Sequence, residues 1–121
     1  MMTVQIERQA ALEVEVEAPS RSIVVLRLCG AADAAQVEVL TQELESAVRR
    51  NPRFVILDLA RLNFLSPAAL GRLEEFRREQ CWRGSEVWLA GLKPGVWLAL
   101  HAAGRGGRFT VRDSVAQVFA C

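Results

Sequence analysis

At 121 residues, 51% of them hydrophobic and 24% charged, the chain is long enough to bury one core and too short for two. The net charge of +1 is unevenly spread, with eight acids and three arginines in residues 1–46 and six acids and twelve bases beyond. No basic run is interleaved with aromatics, which argues against nucleic acid as a partner, and apolar stretches such as 23–26 and 54–57 fall far short of the roughly 20 residues of a membrane-crossing helix. With no export signal discernible, a single domain over residues 1–121, soluble and cytoplasmic, is expected.

Residues 1–10 carry little periodicity and are expected to be loosely held. Residues 11–17 alternate as LEVEVE and residues 23–29 read IVVLRLC, two strands separated by Ala18-Pro19-Ser20 and suited to antiparallel pairing. Glu13, Glu15 and Glu17 mark the first as an edge strand, since a row of charges discourages pairing with other chains. Asp33 is placed to cap a helix running to about Arg50, with Val37, Leu40, Leu44 and Val48 on one side and Asn51-Pro52 as its stop. Residues 54–59, apolar except for Asp58, read as a strand covered on both faces.

Ser66 is a preferred N-cap and Pro67 sits at the first helical position, where its missing N–H costs nothing. Leu70, Leu73 and Phe76 then recur at helical spacing opposite Arg72, Glu75, Arg78 and Glu79, which predicts a helix from Pro67 to about Cys81, ending before Arg83-Gly84. A third unit follows, a strand over 86–92 and a helix from Pro94 to about Ala103. The glycines of 104–107 come after a helix and before a strand, so they make a turn; a phosphate-cradling loop needs the reverse order. Residues 108–112 form the last strand, and Ser114 with Gln117 matches the capping-box pattern of a terminal helix. The reading is an α/β fold, β-β-α-β-α-β-α-β-α, with a single mixed sheet of about five strands and about four helices.

The inventory of reactive side chains does not assemble an enzyme, a metal site or a cofactor site. His101 is the only histidine, lies in the apolar stretch WLALHAA, and has no acid or nucleophile near it in sequence. Asp33 and Asp58 are the best carboxylate candidates, but two acids do not make a site. Cys29, Cys81 and Cys121 have no metal-ligand spacing and cannot all pair, which suits a reducing compartment; Cys29 is expected in the core, the other two at exposed helix ends. Trp82, Trp88 and Trp97 read as core or rim packing, with Trp82, just past the second helix, the one placed to mark an interface. Lys93 is the only lysine among fifteen bases, a skew that fits a GC-rich genome.

Taken in order, LCGAAD at 28–33, the strand carrying Asp58, Phe64-Leu65, Leu70-Gly71, VWLAGL at 87–92 and FTVRDS at 109–114 resemble a STAS domain, the module of sulphate transporters and anti-sigma-factor antagonists. Within the first segment Leu28, Gly30 and Asp33 match the family pattern L-x-G-x-L-D. The resemblance covers nearly the whole chain and implies the STAS fold and a non-catalytic role in bacterial signal transduction and transcription regulation. In the family's D-S-[ST]-G-L-[GA] segment the acidic residue falls here on Ser66, the phosphorylated serine on Pro67, the next hydroxyl on Ala68 and the glycine on Ala69.

Neither proline nor alanine accepts a phosphoryl group, so the switch the resemblance implies, an added charge of about −2, is not expected. Ser66 is expected to serve its own helix as a cap and not to act as a displaced acceptor. The expected partner is an anti-sigma factor, its kinase or a related signalling scaffold, met by Asp33, Asn63, Ser66, Pro67, Ala68, Arg72 and Glu75. Arg72, able to form forked hydrogen bonds, is the expected anchor. Three other readings stay open: an accessory subunit of an ABC-transporter ATPase in lipid trafficking, a small-molecule or nucleotide sensor, and pairing with a second copy through a sheet edge or helix face.

Overall fold

The computed structural model describes residues 12–102 and 109–120. The expectations for residues 1–10, for the turn at 104–107 and for Cys121 lie outside the described residues. Five strands form one mixed sheet: β1 (Leu12–Glu17), β2 (Ile23–Ala32), β3 (Phe54–Leu65), β4 (Glu86–Ala90) and β5 (Thr110–Arg112), hydrogen-bonded in that order. β1 pairs antiparallel with β2 and the other neighbours are parallel. Four α-helices accompany them: α1 (Val37–Ala47), α2 (Pro67–Trp82), α3 (Pro94–Ala102) and α4 (Val115–Ala120). This is the mixed five-stranded, four-helix architecture the sequence predicts, and β1 lies at the edge with its three glutamates exposed.

Helices α1, α2 and α3 share one face of the sheet, because each links parallel neighbours and right-handed crossovers return the chain to the same side. The main core lies beneath them, where Leu40 and Leu44 of α1, Leu70, Leu73 and Phe76 of α2 and Val96 and Leu100 of α3 meet Leu26, Leu28, Val55, Leu57 and Leu89 of the strands. On the other face a smaller cluster, Val25, Ile56 and Ala90, is covered by Val115 and Val118 of α4. Burial on both sides explains why residues 54–59 read as a continuous apolar run.

Several boundaries differ from the sequence reading: β2 runs on to Ala32 instead of ending at Cys29, and β4 stops at Ala90 instead of Leu92. β3 does not stop at Leu59 but runs on to Leu65, with its register against β2 shifted between Arg27 and Cys29 and again between Gly30 and Ala31. Asp58 Oδ1 accepts a hydrogen bond from the Ala60 amide at 3.1 Å just where the ladder is irregular, and beyond it the buried residues Leu59, Leu62 and Leu65 are three apart instead of two. The bulge thus hides the second half of the strand from a search for strict alternation. The helix after Asp33 also begins later, because Asp33 caps a single 3-10 turn, Ala34–Gln36, and α1 proper covers Val37–Ala47.

The end of α2 is closed by Gly84 in the left-handed region (φ 80°), with the Ser85 amide donating to Gln80 O at 2.8 Å and the Gly84 amide to Cys81 O at 3.0 Å. These two bonds satisfy carbonyls that the helix would otherwise leave open, and Gly supplies the conformation without a Cβ penalty.

Candidate functional site

β2 and β3 end side by side, and the Ser66 amide donates to Ala32 O at 2.9 Å, which fixes the Ser66 turn next to Asp33. Ser66 is only 6% exposed. Its Oγ accepts from the Ala69 amide at 3.1 Å and its carbonyl accepts from Leu70 at 2.9 Å, so hydroxyl and carbonyl both serve the first turn of α2. Pro67 and Ala68 are the residues that face outward. Asp33, half-buried, accepts from the Ala35 amide at 3.0 Å, and the 3-10 turn it caps packs against α2.

On the other flank Lys93 Nζ donates to Asn63 Oδ1 at 2.6 Å, tying the start of α3 to the end of β3. Phe64, beside Asn63, is half exposed at 50%. The rim at this end of the sheet therefore combines Asp33, Asn63, Phe64, Pro67 and Ala68, with Lys93 at its border. Phe64 and Lys93 were not candidates from sequence: Phe64 enters there only as a match to the family pattern, and the pairing of Lys93 with Asn63 joins residues 30 apart.

Arg72 occupies a different place from a free anchor. Its side chain is 9% exposed and lies between helices, with Nε donating to Thr41 Oγ1 of α1 at 3.0 Å and its terminal nitrogens 3.2 Å from Glu75 Oε1 and 3.5 Å from Glu79 Oε1. Thr41 passes the chain on by donating to Val37 O at 2.8 Å. The guanidinium is thus a strut that locks α2 to α1, while Glu75 and Glu79 stay half in water. At the far end of α2, one residue beyond the end expected from sequence, Trp82 is the last helical residue and is 90% exposed.

The remaining polar candidates are engaged in structure. Asp58, besides its bond to Ala60, lies 3.4 Å from Arg27 Nε, and Arg27 in turn holds Glu17 at 2.7 Å. The Glu17 hydrogen bond, opposed by desolvation and aided by nearby carboxylates, raises the Arg27 pKa above its ordinary value. His101 is exposed and stacks on Trp97, ring centroids 3.7 Å apart, with Nδ1 3.0 Å from Trp97 O. Cys29 is half-buried, not fully in the core, because it lies on the thinly covered face with Arg27. Among the described residues no cluster of His, Cys, Asp and Glu has metal-binding geometry, and no helix is long and apolar enough to cross a membrane.

The STAS domain family model matches residues 14–118. The anti-sigma factor antagonist SpoIIAA in its unphosphorylated form superposes with a TM-score of 0.76 at 21% identity, over 88% of this chain and 93% of its own. Its phosphorylated form, from Bacillus, gives 0.70 at 20%, over 89% and 97%. An anti-sigma factor antagonist from Mycobacterium paratuberculosis gives 0.81 at 18%, over 92% and 93%. The murine anion transporter Slc26a9 gives 0.79 at 14%, with 98% of this chain matching 24% of that one. Curated protein sequences give no match. The solved structures share the fold, and with the family model spanning nearly every described element, the chain belongs to the STAS domain family.

Proposed function

We propose that this STAS domain is a non-catalytic docking module of the anti-sigma-factor-antagonist type, meeting an anti-sigma kinase or related signalling scaffold in the cytoplasm through the Ser66 turn. One observation carries the reading. The outward positions of the turn are Pro67 and Ala68, which cannot take a phosphoryl group, while its one hydroxyl is buried and already accepts from Ala69. Binding is then governed by concentration and by the partner's own state.

The contact offered is small, apolar and rigid. Pro67 and Ala68 form its centre, Phe64 adds a ring, and Asp33 and Asn63 supply polar edges. Glu75 lies farther along the exposed side of α2, and Arg72 contributes by fixing the angle of that helix against α1. Preorganisation of this kind lowers the entropy lost on association.

Two measurements test the reading. Affinity capture from the native organism with the wild-type chain and with Ala68→Arg should recover a kinase or signalling scaffold in the first case and lose it in the second. Incubation with that kinase and ATP, followed by intact-mass analysis, should show no added phosphate; a phosphate localised to Ser66 would overturn the proposal.

A further inference from the structure

At the end of the sheet opposite the Ser66 turn, where the parallel strands begin, lies an open hollow of about 930 Å³ between the β1–β2 hairpin and the C-terminal end of α1. Its floor is aliphatic: Val16, Val24 and Ala47 line it, and Val16 is left 49% exposed because α1 ends before covering it. Its rim carries Arg21, Arg49 and Arg50, all exposed. The ion pairs among the described residues engage Arg27, Arg72 and Arg78 and none of these three. No carboxylate and no aromatic ring is among the described lining residues.

That combination selects a chemistry. Three guanidiniums with no acid among them attract an anion and can hold a carboxylate or phosphate by paired hydrogen bonds. An aliphatic floor rewards hydrocarbon, and the volume lies within the roughly 300–1,000 Å³ usual for small-molecule sites. A nucleotide is disfavoured, because its base would find no aromatic face to stack on. We infer that this hollow is a binding site for an amphipathic aliphatic anion, a single hydrocarbon chain ending in a carboxylate or phosphate, seated with its head group among Arg21, Arg49 and Arg50 and its chain along Val16 and Val24. The site is separate from the docking turn and does not depend on that reading.

Calorimetric titration of the whole chain tests it, using dodecanoate and dodecyl phosphate below their micelle concentrations. The comparison arms are dodecyltrimethylammonium, inorganic phosphate and ATP. Saturable binding of the two aliphatic anions is expected, with each comparison compound weaker by about tenfold or more. The double variant Arg49→Gln/Arg50→Gln should weaken dodecanoate by about tenfold. Val16→Glu, at an exposed edge-strand position, should weaken it as well by placing a carboxylate on the floor. Far-ultraviolet circular dichroism establishes that both variants are folded. Absence of binding, equal binding of the cationic amphiphile, phosphate alone binding as tightly, tighter binding of ATP, or unchanged affinity in both folded variants would each overturn the assignment.

Discussion

The two ends of the sheet handle their polar groups in opposite ways. At the Ser66 end the polar side chains nearest the turn are matched within the chain: Ser66 to Ala69, Asp33 to Ala35, Asn63 to Lys93, and Arg72 to Thr41 and two glutamates. What faces outward is mostly Pro67, Ala68 and Phe64. At the opposite end three arginines surround an aliphatic hollow with no ion pair among the described residues. A surface whose hydrogen bonds are already made suits docking by shape, since no polar group loses a partner when water leaves. A surface with free guanidiniums keeps its binding capacity for a charged ligand.

Substitutions of decreasing severity sharpen this contrast. Phe76→Ala empties the core beneath α2, and chemical denaturation should show a loss of about 3–5 kcal/mol, degrading both ends together. Arg72→Ala removes the strut to α1 and should cost about 1–3 kcal/mol. Glu75→Ala, at a half-exposed ion pair, should cost only about 0–1 kcal/mol in the same assay. Arg72→Ala should also weaken partner capture through altered helix placement while leaving dodecanoate affinity alone.

Ser66→Ala removes the cap and should cost about 1 kcal/mol in denaturation, with partner capture retained. If capture were lost without unfolding, the hydroxyl would be a contact group and the contrast between the ends would fail. Smallest of all, Arg49→Gln/Arg50→Gln should shift stability by no more than about 0.5 kcal/mol, because exposed charges without partners hold little together.

Much of the fold is legible in the sequence because its punctuation is local. Ser66-Pro67, Asn51-Pro52, Arg83-Gly84 and Ser114 to Gln117 fix element ends through bonds spanning five residues or fewer, among them Gln117 N to Ser114 Oγ at 3.2 Å. The second half of β3 was not legible, since the bulge after Asp58 changes the burial spacing from two to three. Nor was the true position of Arg72. Its helical periodicity with Glu75 and Glu79 places it among charges facing water, whereas the acceptor that draws it inward, Thr41, is 31 residues away. The arginines of the hollow gave no signal in the sequence for the same reason: residues 21, 49 and 50 converge only after the β1–β2 hairpin and α1 have packed. The turn itself was read correctly as a self-capping serine followed by two residues without acceptor chemistry, because that judgement needs only residue identity and neighbours.

The three tryptophans stand in contrasting surroundings. Trp82 at the end of α2 is bathed in solvent, Trp88 lies under the Arg112 guanidinium at 4.8 Å, and Trp97 is stacked on His101. Their indoles therefore form a built-in set of optical reporters, with Trp82 the most open to a collisional quencher such as iodide. A protein seated along the outer side of α2 far enough to reach its end would shield that ring and shift its emission to the blue. Because α2 runs back from the Ser66 turn to where the parallel strands begin, the ring lies at the same end of the sheet as the hollow, and a protein confined to the turn would leave it glowing as before.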